Sequence, residues 1–202
     1  MPLDAPPFAI RLVAREDLPH ILNWSRQTHL EHVRRSPENF SDHPDAILWM
    51  ENLRRRVVEG VEQESPGHIG YVATSGAQLL GFVLMAERAP QTRAERHLRR
   101  SVDVVEVYVC PAGRGRGIGQ ALLRRATDEV LARGYPGVAA SVWAQNVASQ
   151  KMVVAAGFQE ELRLYAVRNP KQQPPQAPPD LRPALLACLL LCFGLLVALF
   201  LS

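Results

Sequence analysis

The stretch that decides the fold is VEVYVCPAGRGRGIGQALL, residues 105–123 of the 202-residue chain. It begins inside a run, residues 102–109, that is dense in β-branched side chains and therefore predicts a β-strand. It ends inside residues 118–133, where Leu122 and Val130 stand at helical spacing and predict an α-helix with a buried stripe. A strand, a glycine-rich turn and a helix are thus expected in succession.

The turn between this strand and helix reads Arg114-Gly115-Arg116-Gly117-Ile118-Gly119. Its glycines let the backbone approach a ligand closely and point successive N–H groups toward it. The start of the helix adds partial positive charge, so the turn suits an anion such as a pyrophosphate. The alternative is a connector that binds nothing. A dinucleotide fingerprint is disfavoured because Gln120 occupies the third glycine position, and no lysine and hydroxyl stand at P-loop spacing.

This strand, turn and helix resemble a known family. Arg114, Gly117 and Gly119 fill the R/Q-x-x-G-x-G/A pattern of the GCN5-related N-acetyltransferase (GNAT) superfamily. Residues 146–158, NVASQKMVVAAGF, resemble the family's second signature, an asparagine followed by a short helix that ends in Gly-Phe. The resemblance extends over residues 8–168, although the first half is matched by the order of its predicted elements rather than by a motif.

The fold that the resemblance implies is α/β (α+β). A mixed, mostly antiparallel central sheet contains two splayed parallel strands and is flanked by helices. Asp17 stands where an N-cap would open the first helix, and Arg54 is expected on the exposed face of the second. The predicted strands are residues 8–13, 68–74, 78–85, 102–109, 138–143 and 162–167, and the helices after the first are residues 47–60, 118–133 and 147–156.

The resemblance also implies a cosubstrate and its site. In the family, acetyl-coenzyme A lies where two parallel strands splay apart, here residues 102–109 and 138–143, with its pyrophosphate on the glycine-rich turn. The backbone N–H near Val109 is expected to polarise the thioester carbonyl. The implied cofactor-binding residues are Val109, Arg114, Gly115, Arg116, Gly117, Ile118, Gly119, Gln120 and Asn146.

The implied chemistry is direct attack of a neutral acceptor amine on the thioester. The protein then has to orient two reactants and help to remove a proton from the amine. Glu106, three residues before Val109 on the same strand, is the first candidate for the catalytic base, and Asp103 is the second. Either carboxylate has an alternative interpretation as a solvated strand residue.

The general acid is the point at which this chain departs from the family. Many members place a tyrosine four residues before the Gly-Phe, and this chain has Val153 there. Tyr165 or a bound water is the candidate for protonating the thiolate, and the alternative for Tyr165 is a packed aromatic. A free thiol has a pKa of about 8.5, so the thiolate is a tolerable leaving group. No histidine or cysteine stands at metal-ligand spacing, so no metal is predicted.

The chain divides into a GNAT-like domain, residues 1–168, a linker rich in proline and glutamine, residues 169–183, and a hydrophobic tail, residues 184–201. The tail has no charged residue and as a helix would span about 27 Å, close to the hydrocarbon thickness of a bilayer. It is predicted to be a transmembrane tail anchor, with a helix buried in the core or in an oligomer as the alternative. Basic residues on its domain side alone predict a cytoplasmic domain.

The charge pattern narrows the classes of partner. The formal net charge is +3 and the pI is near 9.0, but the arginines are mixed with acids, so no nucleic-acid partner is indicated.

The predicted function is transfer of acetyl from acetyl-coenzyme A to a primary amine of a protein, polyamine or small molecule by a membrane-tethered enzyme. The alternative, kept open by Val153, is a non-catalytic acyl-coenzyme A sensor that recruits partners at the membrane.

Overall fold

The computed structural model describes residues 8–87, 101–161 and 163. The chain divides into two compact units, Met1–Tyr165 and Ala166–Ser202, and the described residues all lie in the first. The strands are β1 Ala9–Leu12, β2 His68–Ser75, β3 Gln78–Glu87, β4 Val102–Val109 and β5 Val138–Ala139. The helices are α1 Leu18–Arg35, α2 Pro44–Glu62, α3 Ile118–Ala132 and α4 Val147–Ala155, with 3-10 turns at Arg15–Asp17 and Pro111–Gly113.

The strands form one five-stranded sheet in the order β1-β2-β3-β4-β5. Neighbours are antiparallel except β4 and β5, which are parallel. A tight turn joins β2 to β3, in which Ser75 pairs with Gln78 and Gly76 takes a φ of +57° that favours glycine. The α/β class and the mixed, mostly antiparallel sheet predicted from the sequence are confirmed.

Helices cover both faces of the sheet. Phe82 and Leu84 of β3 belong to a core shared with α1 and α2, whereas Val83 and Met85 belong to a core shared with α3. This alternation follows from the two-residue period of a strand. The helices contribute Leu18 and Ile21 from α1, Val57 and Val58 from α2, and Leu122, Leu123, Ala126 and Val130 from α3.

A β-bulge in β4 decides which way the second half of that strand faces. Leu84 pairs with Glu106 while the next residue, Met85, pairs with Val104, so Val105 is an extra residue in β4. A one-residue slip moves every later side chain to the other face of the sheet. Glu106 therefore faces the α1 and α2 layer, where polar partners are available, instead of the apolar core under α3.

Strand β5 is shorter than the sequence predicted. Residues 138–143 were expected to be a strand, but only Val138 and Ala139 pair, with Val102 and Asp103. Among the described residues, no strand pairs with residues 140–143, so they have no ladder to join. From Val104 onward, no strand among the described residues pairs with β4 on the β5 side, and this edge is called its free edge.

The start of α1 also differs from the prediction. Asp17 occupies the N-cap position, but its carboxylate makes no cap hydrogen bond. It instead accepts from the Ala14 N–H at 2.9 Å and pairs with the Arg11 guanidinium at 2.7 and 2.8 Å. The reason is the 3-10 turn before the helix, which leaves the carboxylate buried beside β1.

Several predicted segments lie outside the described residues. They are the last strand at residues 162–167, of which only Arg163 is described, the linker at residues 169–183 and the tail at residues 184–201. None of the helices in the described part of the chain combines the length and apolar character needed to span a bilayer. The transmembrane helix and the domain boundaries stay predictions.

Candidate active site

The free edge of β4 is the first component of the site. The Cys110 N–H donates to Leu80 O at 2.9 Å, and Val109 lies opposite Gly81. Backbone amides of an antiparallel strand point alternately to its two edges, so the N–H and C=O of Val109 point away from β3. Val107 shares this orientation. The polar groups of both residues thus face the cleft that opens as β5 ends.

The glycine-rich turn is the second component and begins one residue after β4. Gly115 and Gly117 both have a φ of +75°, and a Cβ added at either would meet open space. Residues 114–117 are exposed. The first intrahelical bond of α3 runs from the Ala121 N–H to Gly117 O at 3.0 Å, so the preceding amides of the first turn have no acceptor within the helix. These amides and the positive end of α3 suit a pyrophosphate.

Gly119 serves a different purpose from the exposed glycines. It is buried, and a Cβ added there would collide with the Met152 sulfur of α4. The glycine therefore allows α3 and α4 to pack closely, which holds the turn against the sheet. Ile118, also predicted to bind the cofactor, is fully buried in the core under α3, so only its backbone N–H is available to a ligand.

The two arginines of the turn are exposed. The Arg114 Nε donates to Val109 O at 3.3 Å, which brings its guanidinium back over the end of β4. Burial raises the pKa of the neighbouring Tyr108 hydroxyl, and the charge of Arg114 opposes that shift. Arg116 lies at the tip of the turn. Both cations are thus close to the amides proposed to receive a pyrophosphate.

Gln120 and Asn146 have structural partners in this fold. The Gln120 side-chain amide donates to Ala155 O, as does Arg124 at 2.8 Å, and together they satisfy the C-terminal end of α4. The Asn146 Oδ1 accepts from the Ser149 N–H at 3.1 Å and caps the start of α4. Both side chains position α4, and their predicted contact with the cofactor stays a prediction.

Glu106 lies in a polar network next to the bulge. Its Oε2 accepts from the Arg54 Nε at 2.9 Å and from the Ser25 Oγ at 2.6 Å. The predicted exposure of Arg54 is wrong: its side chain is 11% exposed, and that of Glu106 is 10% exposed. Arg54 points inward because the bulge turns a carboxylate toward α2, a long-range effect that helical spacing does not report.

Asp103 and Tyr165 are the other predicted catalytic residues. Asp103 lies at the base of the cleft, between Ala86 of β3 and Ala139 of β5. Tyr165 lies outside the described residues. Val153, at the family's tyrosine position, packs against the core under α3. The described residues contain no cluster of histidine, cysteine and acidic side chains that could hold a metal ion.

Two aromatic clusters that the sequence did not indicate border the site. In the first, Trp24 of α1 stacks on Tyr108 of β4 at 5.1 Å and on Phe82 of β3 at 6.3 Å between ring centroids. In the second, Phe40 packs on His32 at 4.9 Å and on Trp143 at 5.0 Å. The second cluster joins the α1–α2 connection to the segment after β5. Because its members are far apart in the chain, no local pattern indicates it.

A mixed sheet that opens between two parallel strands, beside an amide-lined turn, is the architecture of an acetyltransferase. A family model described as "Acetyltransferase (GNAT) family" matches residues 20–158, well over half of the chain. The protein belongs to this family, whose members use acetyl-coenzyme A. The resemblance inferred from the two sequence signatures is thereby confirmed.

Individual relatives are more distant. A mycothiol acetyltransferase of Jonesia denitrificans is 29% identical over 120 residues, which are 59% of this chain but only 36% of that protein. An aminoglycoside N-acetyltransferase, AAC(6')-Iy, solved with coenzyme A, has a TM-score of 0.58 at 20% identity, covering 81% of this chain and 95% of that one. A GCN5-related N-acetyltransferase from Ralstonia eutropha has a TM-score of 0.59 at 18% identity, covering 80% and 98%. The structural similarities support the fold.

Proposed function

We propose that the protein transfers the acetyl group of acetyl-coenzyme A to a primary amine of a protein, polyamine or small molecule. One observation carries the proposal: the edge of β4 that no described strand pairs with leads within a few residues into the amide-lined turn. A long, flexible thioester with a pyrophosphate needs this combination, an extended backbone edge for its arm and helix-start amides for its phosphates. Names of similar proteins that specify acetyl transfer, one of them to nitrogen, support the same reaction.

Different backbone groups bind the cosubstrate and stabilise the charge that develops in the reaction. The amides of Gly117, Ile118 and Gly119 hold the pyrophosphate, with Arg114 beside them. The Val109 N–H stabilises the charge that develops on the thioester oxygen. The amine nitrogen forms a bond to the carbonyl carbon, and the carbon–sulfur bond breaks. The departing thiolate takes a proton from a bound water or from Tyr165, because Val153 cannot supply one.

The proton released by the amine requires a base. The two candidates predicted from the sequence are carboxylates of β4, Glu106 first and Asp103 second. If Glu106 is the base, its Oε1 is the acceptor, because Oε2 is engaged by Arg54 and Ser25. General bases of this kind contribute roughly 100-fold to 10,000-fold to the rate.

The test uses the full-length protein. Incubation with acetyl-coenzyme A and a panel of aminoglycosides, polyamines, amino sugars and lysine peptides, with thiol release as the readout, should give turnover with at least one amine. The matched control is Gly117→Glu, which should lose the activity together with cofactor binding. Cofactor binding without turnover on any amine would contradict the proposal and favour the alternative, a non-catalytic acyl-coenzyme A sensor, which Val153 supports.

We further propose that residues 184–201 tether the enzyme to a membrane with its domain on the cytoplasmic side. The support is the uncharged run itself and the basic residues Arg168, Lys171 and Arg182 that precede it. Full-length protein should sediment with membranes and resist carbonate extraction. The double substitution Leu191→Arg and Leu195→Arg should release it, because each charge at the bilayer centre costs about 3 kcal/mol. Equal extraction of both forms would refute the tether.

A further inference from the structure

One face of α1 is turned toward the middle of β4. Ser25 belongs to this face, because its hydroxyl donates to Glu106 Oε2 at 2.6 Å. His32 follows seven residues later, which is about two helical turns, so it projects from the same side of α1. The negative charge of Glu106 acts on the His32 imidazole. His32 is therefore a basic side chain on the side of α1 that faces Glu106, close enough for the Glu106 charge to act on it.

The His32 ring is held in place but its nitrogens are available. The ring stacks on Phe40 with centroids 4.9 Å apart and planes 18° apart, and it is half-buried. Among the described residues, no hydrogen bond to either ring nitrogen is present. The contrast is His29, one turn earlier, whose Nε2 contacts Ser41 O at 2.7 Å. His32 thus has a fixed ring plane and a lone pair that no other described group uses.

The charges around His32 favour its neutral form. Burial is the largest cause and lowers its pKa, and the charges of Arg35 and His29, from its own helix, lower it further. Glu106 from β4 and Glu31 from α1 raise the pKa but do not reverse the shift. An imidazole with a pKa below its ordinary value of about 6.5 is unprotonated at neutral pH and ready to accept a proton.

Glu106 is less free to accept one. Its Oε2 already holds the Arg54 Nε and the Ser25 hydroxyl, and its side chain is almost fully buried. A carboxylate in that position can stabilise a nearby imidazolium by its charge without taking the proton itself. The structure thus favours His32 as the proton acceptor and Glu106 as the carboxylate that stabilises the resulting positive charge.

We propose that His32 is the catalytic base that removes the proton from the acceptor amine, with Glu106 stabilising the imidazolium that forms. The inference rests on the proposed acetyltransferase function. As the amine nitrogen bonds to the acetyl carbon and the thiolate departs, one N–H proton passes to a His32 ring nitrogen and is later lost to water. No oxidant, metal or covalent enzyme intermediate is needed.

The first experiment needs no acceptor. An NMR titration of the His32 ring in the full-length protein should give a midpoint below 6.5, the ordinary value. Glu106→Gln should lower the midpoint further, because it removes a negative charge that favours imidazolium. A midpoint at or above the ordinary value, or one unmoved by Glu106→Gln, would overturn the assignment.

The second experiment uses an amine acetylated by the wild-type protein. His32→Ala should lower kcat/KM by about 100-fold or more, the range typical of a lost general base, with little change in acetyl-coenzyme A binding. Added imidazole should restore part of the rate, and the acidic limb of the pH profile should disappear. The matched control is His29→Ala, which removes a histidine one turn away and should retain the rate and respond to no imidazole.

The outcomes separate the two proposals. A His32→Ala protein with normal rate and pH profile, alongside a severely impaired Glu106→Gln protein, would make Glu106 the base and overturn the role of His32, while acetyl transfer stands. A lost rate that imidazole does not restore would assign His32 a structural role and also overturn the inference. Wild-type protein that binds acetyl-coenzyme A but acetylates no amine would remove the proposed function, and this inference with it.

Discussion

The Arg54 Nε lies 2.9 Å from the Glu106 Oε2, and both side chains are about nine-tenths buried. This ion pair joins the middle of α2 to β4 one residue after its bulge. Two buried charges are tolerated because each satisfies the other, and Arg54 also donates to Met50 O at 3.0 Å on its own helix. The pair therefore fixes the α1 and α2 layer over the strand that borders the cleft.

Removing one member of this pair should be costly. Arg54→Met keeps an unbranched apolar stem but leaves the Glu106 carboxylate buried without its cation. We expect a loss of about 3–5 kcal/mol in the free energy of unfolding, measured by urea denaturation. The control is Arg55→Met on the exposed face of α2, which should change stability by less than about 0.5 kcal/mol.

The double variant distinguishes the pair from simple packing. Adding Glu106→Gln to Arg54→Met removes the unpaired buried charge of Glu106 and should recover part of the lost stability. A loss of stability in the double variant equal to the sum of the losses in the two single variants would show that the two side chains act independently, contrary to the ion-pair interpretation.

Charge and bulk at the tip of the turn should abolish cofactor binding. Gly117→Glu places a carboxylate among the amides that we propose bind the pyrophosphate, and calorimetry with coenzyme A should detect no binding. Gly134→Glu is the matched control, because Gly134 also has a left-handed φ, of +83°, with open space around it, but follows the far end of α3. Equal binding by both variants would refute the assignment of the turn.

Two buried glycines should differ in their tolerance of a methyl group. A Cβ at Gly81 would lie 2.5 Å from the backbone oxygen of Tyr108, which cannot move without distorting β4. A Cβ at Gly119 would meet the end of the flexible Met152 side chain. Gly81→Ala should therefore cost more stability than Gly119→Ala, with overpacking on the order of 1–3 kcal/mol. Thermal or urea unfolding of both variants gives the order directly.

Glu129 of α3 should titrate below its ordinary range. A hydrogen bond from Arg133 is the largest cause of its lowered pKa, and the charges of Arg133 and Arg125 add to it against the opposing effect of burial. Because the folded-state pKa is depressed, the stabilisation is present above the ordinary value of 4.5 and is lost as pH falls through the folded value. Arg133→Met should raise the pKa in a carboxyl NMR titration, and Arg125→Met should raise it less.

Much of the chemistry-bearing region could be predicted because its signals are local. The bounds of β4 agree with the prediction, and α3 ends one residue earlier than predicted. The turn between them carries Gly115 and Gly117 at left-handed positions, which is the conformation that only glycine adopts without strain. Each of these features depends on neighbours within a few residues.

The predictions that were wrong concern features that depend on residues far apart in the chain. The predicted strand at residues 138–143 was locally reasonable, but a strand needs a partner, and β4 provides one only to Val138 and Ala139. Arg54 was predicted as exposed because the helical pattern of α2 does not reveal a carboxylate on a distant strand. His32 and Phe40 showed no pattern that related them to Glu106.

By itself the sequence determined the family, the order of the main elements and the glycine-rich turn. These follow from backbone preferences of glycine, from strand and helix periodicity and from a motif whose residues are adjacent. The tertiary structure decided which distant side chains come together: the bulge at Val105 turns Glu106 toward α2, and α1 presents Ser25 and His32 on the side that faces Glu106. Packing between elements far apart in the chain sets those contacts, and no local pattern encodes it.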